Sequence, residues 1–353
     1  MQLLVGFNVA IYQQQFKNGG MPAGHQIDEA LILANRGRKT AVDPRVPYAF
    51  LVEPEVTIRG TIEDVATIFL TNRECPFHCL FCDLWKNTTD EAVPLGAIPQ
   101  QIDYALQRLS TARHVKLYNS GNFFDHQAIP PDDYAAIAER VAHFQTIIVE
   151  NHPRLCGKSC VHFRDFVRGA AKMRTRAKEI VQGEPEETLP ELEVALGLET
   201  VHPEILPRLN KQMTLDDFRK AAAFLASNEI AMRAFILLKP PYMLEEDCVD
   251  WVLRSIEFAF ICGVRACSVI PTRSGNGVMD LLEQEGRFSS PHMASLEATL
   301  AGGIALGRGR VFVDLWDVAR FYSCARCGPA RGARLQEMNL TQRILPAIEC
   351  SCT

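Results

Sequence analysis

The stretch Cys75-Pro76-Phe77-His78-Cys79-Leu80-Phe81-Cys82 decides how this sequence is interpreted. It places three cysteines at x3 and x2 spacing directly after an apolar run, residues 65–70. Three thiolates on one short loop can ligate three irons of a four-iron, four-sulfur (4Fe-4S) cluster and leave the fourth iron open to a small chelating ligand. Structural zinc is the alternative, but zinc usually draws its ligands from two separated pairs, and no second pair lies near this loop.

An aromatic residue, Phe81, stands just before the third cysteine, and the whole CxxxCxxC pattern resembles the signature of radical S-adenosylmethionine (SAM) enzymes. The resemblance implies that Cys75, Cys79 and Cys82 ligate a 4Fe-4S cluster and that SAM chelates the open iron. It also implies that reductive cleavage of SAM yields a 5′-deoxyadenosyl radical. An electron donor such as flavodoxin or ferredoxin is then expected as a partner.

The composition indicates a full-sized core and little excess charge. The chain has 353 residues, and 47% of them are apolar, which is enough for a full-sized core. Its net charge is −5, so the overall charge does not indicate a nucleic-acid partner. No apolar run reaches the length of a membrane span, and residues 1–10 lack the basic residues and cleavage pattern of a signal peptide. Twelve cysteines, several of them in ligand-like groups, fit a reducing compartment with metal sites better than a disulfide framework. We therefore expect a soluble cytoplasmic protein with no membrane partner.

From residue 65 onward, short β-rich apolar runs alternate with longer helical patterns, which is typical of an α/β fold built from βα units around a parallel sheet. The six apolar runs are residues 66–70, 115–118, 146–149, 193–198, 232–238 and 266–270. Six such units predict the partial (β/α)6 barrel of radical SAM enzymes over residues 62–290. We expect an N-terminal extension before it, residues 1–61, and a C-terminal cysteine-rich metal-binding region after it, residues 291–353.

Residues at the carboxyl ends of the predicted strands are the candidates for binding SAM, because barrel sites lie at that end. The second run is followed by Ser120, Gly121 and Asn122, which resemble the family's Gly-rich turn that contacts the methionyl amine. An ordinary Asn-Ser-Gly-Asn turn is the alternative. Glu150 follows the third run, where a buried carboxylate must be paired or point into a site.

A further pair of candidates is Glu199, at the end of the fourth run, and Lys211, twelve residues later. The pair resembles the branch that contains the Elongator catalytic subunit, the methylthiotransferases and oxygen-independent coproporphyrinogen oxidase. In that branch a strand-end Glu or Gln contacts the ribose of SAM, and a later basic residue, usually Arg, pairs with its carboxylate. Lys211 lacks the bidentate fork of Arg. Ile270, at the end of the sixth run, lies where the family presents backbone groups to adenine.

The tail carries two further cysteine pairs, Cys324 with Cys327 and Cys350 with Cys352. Four thiolates in two local pairs suit a closed zinc site or an auxiliary iron–sulfur cluster, and four independent cysteines are the remaining alternative. The region from Glu193 to this tail also resembles the radical SAM enzymes of archaeosine biosynthesis, which modify a deazaguanine base in tRNA.

The predicted function is that of a radical SAM enzyme that abstracts hydrogen from a substrate held at the barrel mouth. The candidate substrates are a modified nucleoside and a tRNA base, and no catalytic residue is assigned. The most basic stretch, residues 163–188, is where a nucleic acid would bind, with a solvated helix face as the alternative. A different class of function is a non-catalytic iron–sulfur or zinc protein that senses redox state through its cysteines.

Overall fold

The computed structural model describes residues 27–182 and 189–351, with side chains described to residue 176 in the first range. Its centre is one eight-stranded sheet whose strands follow chain order. The first two strands pair antiparallel, and every later pair is parallel. The strands are β1 Ala49–Val56, β2 Ile62–Phe69, β3 His114–Tyr118, β4 Thr146–Asn151, β5 Glu191–Glu199, β6 Ala231–Leu238, β7 Ala266–Pro271 and β8 Arg310–Val313.

Helices connect successive parallel strands and cover the outer face of the sheet. The α-helices are α1 Glu29–Ala34, α2 Ala97–Leu106, α3 Tyr134–Val141, α4 Lys158–Gln182, α5 Ile205–Arg208, α6 Leu215–Ser227, α7 Glu245–Ile261, α8 Val278–Gln284, α9 Met293–Ala305 and α10 Gly328–Thr341. Single-turn 3-10 helices occur at Leu84–Asn87, Pro131–Asp133, Pro153–Leu155 and Val318–Phe321. No helix in the described ranges is long and apolar enough to cross a membrane.

The six predicted runs form β2 to β7, which confirms the α/β partial barrel. The sheet continues on both sides of these strands, because β1 falls within residues 1–61 and β8 within residues 291–353. Both flanking regions therefore contribute a strand to the same sheet.

The sheet curls, because side chains from strands that are not neighbours meet on one of its faces. Lys116 of β3 places its Nζ atom 2.6 Å from Oε2 of Glu55 on β1, and Arg233 of β6 donates to the same oxygen at 3.1 Å. At the two edges of the sheet, Arg310 of β8 donates to the main-chain oxygen of Val56 on β1 at 2.9 Å. The concave face is thus the lumen of an open barrel.

A buried ionic network closes the lumen near the amino-terminal ends of the parallel strands. Besides Glu55, Arg233 binds Glu193, with Nε donating to Oε1 at 2.8 Å, and Arg310 lies 3.8 Å from the second oxygen of Glu193. Burial alone would raise the pKa of Glu55, but Arg233 and Lys116 outweigh it and hold the pKa well below its usual range. We call these five residues the lumen floor.

Helix α10 covers the free edge of β8 with two amide side chains. Asn339 accepts from the main-chain N–H of Val313 at 3.0 Å and donates to its carbonyl at 2.9 Å. Gln342, directly after the helix, does the same for Val311, at 2.8 and 2.9 Å. The outward-facing backbone groups of this edge strand are therefore hydrogen-bonded within the chain.

Candidate functional site

The cysteine loop follows β2 and lies at the carboxyl ends of the parallel strands, where two distant asparagines hold its backbone. Asn276, after β7, donates through Nδ2 to the carbonyls of Leu80 at 2.8 Å and Cys82 at 3.1 Å. Asn210, after α5, donates to the carbonyl of His78 at 2.9 Å. These contacts hold the backbone of the loop from two distant parts of the chain.

The turn after β3 packs directly against the first cysteine of the loop. Asn122 donates through Nδ2 to the Sγ atom of Cys75 at 3.1 Å, and its Oδ1 atom accepts from the main-chain N–H of His152 at 2.7 Å. A Cβ atom at Gly121 would lie 3.3 Å from Cβ of Cys75, so the close approach favours glycine. The structure thus brings Gly121 and Asn122 to the cysteines, and both ends of the Asn122 amide are occupied there.

The three loop sulfurs are not among the described groups that lie close enough together to share one metal ion. Within the described residues, the sulfurs of Cys75, Cys79 and Cys82 do not all come within 4.8 Å of one another. A single zinc with Zn–S bonds of about 2.3 Å holds its thiolates roughly 3.8 Å apart. A four-iron cluster binds each thiolate through a different iron and separates them more widely. Burial raises the pKa of Cys79 to about 12, and the nearby Lys211 ammonium acts in the opposite direction.

Glu150 points into the turn after β3 and caps its backbone. Its Oε1 atom accepts from the N–H of Asn119 at 2.6 Å and of Gly121 at 3.3 Å. Burial raises the pKa of Glu150 to about 7, although these N–H groups act to lower it. In the same turn Ser120 has a φ of +52°, and its hydroxyl lies 2.8 Å from the hydroxyl of Tyr48. Glu150 therefore shapes the site through the turn.

Glu199 and Lys211 form a buried ion pair beside the cysteine loop, with Nζ of Lys211 2.7 Å from Oε1 of Glu199. Glu199 has a φ of +65° at an irregularity in β5, which directs its side chain over Gly197. A Cβ atom at Gly197 would collide with both charged groups. Burial would lower the pKa of Lys211, but Glu199 outweighs it, and the ammonium stays charged. Here the two residues pair with each other.

The two remaining SAM candidates are partly buried apolar residues. Phe81 packs between the main core and a small second core that includes Leu80 and Ile32 of α1. Ile270, on β7, packs against the main core and keeps part of its side chain exposed. The structure places both at the end of the barrel that carries the cysteine loop.

Aromatic rings line the lumen between the cysteine loop and the lumen floor. Tyr118 of β3 and Phe235 of β6 meet edge to face with ring centroids 6.0 Å apart, although these strands are not neighbours. Phe69 contacts Tyr118 at 6.2 Å and Tyr48 at 5.6 Å. All four side chains are partly exposed. The lumen thus offers flat apolar surfaces with two hydroxyl groups.

Sequence reasoning missed these rings and the asparagines that hold the cysteine loop. A period of two along β3 and β6 would have paired Tyr118 with Lys116 and Phe235 with Arg233 on one face of the sheet. Asn276 stands between two glycines in the loop that follows β7, a position typical of backbone recognition.

In the tail, the structure brings together three of the four predicted ligands. The sulfurs of Cys324, Cys327 and Cys350 all lie within 4.8 Å of one another, and Cys352 lies outside the described residues.

No protein-family model matches the chain. Among its sequence relatives, an uncharacterized protein of Methanocaldococcus jannaschii is 20% identical over 346 residues, covering 89% of this chain and 87% of the relative. Archaeosine synthase subunit beta of Methanosarcina acetivorans is 22% identical over 253 residues, 68% of this chain and 66% of the relative. The same subunit of Thermococcus kodakarensis is 26% identical over 167 residues, which cover 45% of this chain and 46% of the relative.

The chain is similar to archaeosine synthase beta subunits. This similarity confirms the resemblance to the archaeosine branch found in the sequence.

Solved structures with similar folds share little sequence with the chain. SuiB of Streptococcus suis bound to SAM has a TM-score of 0.45 and 13% identity, covering 69% of this chain and 48% of SuiB. An Elp3 of Methanocaldococcus infernus has a TM-score of 0.47 and 11% identity, covering 68% and 59%. The radical SAM enzyme coproporphyrinogen III oxidase of Escherichia coli has a TM-score of 0.41 and 12% identity, covering 69% and 52%. The chain therefore spans about half the length of these proteins.

Proposed function

We propose that this chain is a radical SAM enzyme in which Cys75, Cys79 and Cys82 hold a 4Fe-4S cluster. The observation that carries the proposal is the placement of three cysteine thiols on one loop at the carboxyl ends of the parallel strands, with the Lys211 ammonium close enough to act on Cys79. When bound, the cluster supplies the electron that cleaves SAM to methionine and a 5′-deoxyadenosyl radical.

In this proposal, residues around the loop contact the parts of SAM that the cluster does not bind. Lys211 is charged and lies next to Cys79, so it pairs with the carboxylate of SAM close to the open iron. Glu199 exchanges part of its contact with Lys211 for the ribose hydroxyls. Glu150 holds the turn in which Ser120 and Gly121 present backbone carbonyls to the amine. Phe81 and Ile270 flank the adenine.

For the substrate we propose a base in tRNA, reached through the aromatic-lined lumen. The named relatives are archaeosine synthase subunits, and flat bases stack on rings such as Tyr118 and Phe235. Helix α4 adds an exposed basic face suited to phosphates. Up to residue 176, where its side chains are described, the exposed cations are Lys158, Lys172, Arg174 and Arg176. We place the enzyme in the cytoplasm, with flavodoxin or ferredoxin as electron donor.

The test is an anaerobic reconstitution with iron and sulfide, followed by SAM and dithionite. We expect 5′-deoxyadenosine to form, and to form faster when unmodified or deazaguanine-containing tRNA is added than when the free nucleoside is added. If the chain assembles iron yet neither binds SAM nor yields 5′-deoxyadenosine, the enzyme proposal fails and a redox-sensing role gains support. If only the free nucleoside stimulates the reaction, the tRNA assignment alone fails.

The variants Glu199→Gln and Lys211→Ala are expected to weaken SAM binding while the cluster still assembles. Each variant loses a charge-assisted contact worth about 1.5–3 kcal/mol, which corresponds to about ten- to hundredfold in Kd. Calorimetric titration of SAM into the anaerobic holoprotein measures the effect.

A second buried Lys–Glu pair provides the control for this experiment. Lys239 lies 2.7 Å from Glu245 and also donates to Ser289, and neither partner is a candidate SAM ligand. Lys239→Ala should leave the Kd for SAM unchanged. Wild-type affinity in both test variants would remove Glu199 and Lys211 from the SAM site.

The variant Asn122→Asp is expected to make the reduction potential of the cluster more negative. The substitution keeps the acceptor for the N–H of His152 but replaces the N–H···S donor to Cys75 with an oxygen. Hydrogen bonds to cluster sulfurs raise the potential, and a carboxylate opposes reduction. A redox titration followed by electron paramagnetic resonance measures the change.

Asn151→Asp is the matched control, because the Asn151 amide contacts Cys156, outside the loop. Equal potentials in wild type and Asn122→Asp would show that this hydrogen bond does not tune the cluster.

A further inference from the structure

The tail cysteines come from two segments that are far apart in the chain yet meet in space. Cys324 follows the 3-10 helix Val318–Phe321, and Cys327 is the N-cap of α10. Cys350 lies beyond the other end of α10, and its sulfur comes within 4.8 Å of the other two. Within the described residues, these are the three thiols whose spacing allows them to share one metal ion.

The spacing of these sulfurs distinguishes a single ion from a cluster. Thiolates on one tetrahedral zinc are roughly 3.8 Å apart, given Zn–S bonds of about 2.3 Å. The tail sulfurs all fall within 4.8 Å of one another, whereas the sulfurs of the Cys75 loop do not. The same chain thus holds one set of cysteines with the spacing of a mononuclear site and one set with wider spacing.

Two arginines lie against the tail thiols and offset negative charge there. Arg326 donates through Nη2 to Sγ of Cys350 at 3.3 Å and to Oγ of Ser351 at 2.7 Å. Arg331, whose Nη2 atom lies 2.6 Å from Oε2 of Glu297, also forms a hydrogen bond with Cys327. Hydrogen-bond donors around metal-bound thiolates stabilise their charge, as this arrangement does.

We propose that Cys324, Cys327 and Cys350 bind one zinc ion whose role is structural. A structural zinc site is closed by four ligands, and Cys352, which the sequence predicts as the fourth, lies outside the described residues. The zinc joins the two ends of the segment that contains α10, and this segment in turn binds the edge of β8 through Asn339 and Gln342. This role is separate from SAM chemistry and does not depend on it.

The decisive experiment separates the two metal sites by removing the first. In a variant with Cys75, Cys79 and Cys82 all replaced by alanine, purified protein should contain about one zinc per chain and almost no iron. Adding Cys350→Ser should lower the zinc content to near zero and lower the Tm. Cys262→Ser, at the end of α7 and outside both groups, should change neither value. Full zinc content and an unchanged Tm in the Cys350→Ser protein would overturn the proposal.

A second measurement covers the case in which Cys350→Ser fails to fold. Zinc is removed with a chelator from the protein that lacks the loop cysteines, and Co2+ is then added. Tetrahedral thiolate coordination gives intense visible d–d bands and a near-ultraviolet charge-transfer band, which we expect in this protein. Absence of these bands, or about four irons per chain after iron and sulfide reconstitution in the same background, would exclude the zinc site. Neither result bears on the cluster at the Cys75 loop.

Discussion

Replacing Cys79 with alanine is expected to abolish cluster assembly at the loop and reduce SAM cleavage to the background rate. Two thiolates on a loop cannot hold three irons, and the lost ligand also exposes the adjacent iron to water. The same result is expected for Cys75→Ala and Cys82→Ala. Iron and sulfide analysis, charge-transfer absorbance and 5′-deoxyadenosine yield measure it after anaerobic reconstitution.

A matched cysteine outside the loop controls for general loss of thiols. Cys262→Ala should keep wild-type iron, absorbance and yield, because Cys262 lies at the far end of α7. The tail zinc should be unaffected in all four variants. The three loop variants can also be made in a protein that lacks the tail cysteines. If they keep the iron content per chain of that parent protein, the loop does not bind the cluster.

Replacing Arg233 with methionine is expected to lower the free energy of unfolding by about 3–5 kcal/mol, since it leaves buried carboxylates without their main partner. Arg233 contacts both Glu55 and Glu193 and is 2% exposed. Methionine fills most of the space, so the loss comes from the uncompensated charge more than from a cavity. Chemical denaturation of the apoprotein measures it.

The pH dependence of this loss identifies its cause. The folded-state pKa of Glu55 is lowered from 4.5, so the ion pair stabilises the fold above about pH 4.5 and loses that effect as the pH falls. The loss of unfolding free energy in Arg233→Met should therefore be largest near neutral pH and shrink below pH 4.5 as Glu55 protonates. The exposed ion pair between Arg308 and Glu257 provides the control. Arg308→Met should lower the free energy of unfolding by at most about 1 kcal/mol. If the loss of unfolding free energy in Arg233→Met does not depend on pH, the loss comes from altered packing and not from uncompensated charge.

The strands and the cysteine loop could be predicted because their signals are local. Apolar runs of four to seven residues, each ending in polar or small residues, identify parallel strands and their carboxyl ends without any tertiary information. The tail pairs are likewise short motifs. What these signals leave open is which residues face the lumen and which distant groups they meet there.

The lumen floor and the supports of the cysteine loop depend on long-range contacts, which a single sequence does not display. Arg233 stands inside an apolar run, and its partner Glu55 is 178 residues away. Asn276 binds a carbonyl 196 residues earlier in the chain. A lone charge in a buried strand signals that a partner exists, but the curl of the sheet decides which residue it is.

Both edges of the open sheet carry features that oppose polymerisation. An unclosed barrel leaves two edge strands, each a template for a strand from another molecule. On β1, Pro54 lacks the N–H that such a strand would need. On β8, Asn339 and Gln342 already occupy the donors and acceptors of Val311 and Val313. The fold can therefore keep its lumen open along one side without fibre-like growth from sheet to sheet.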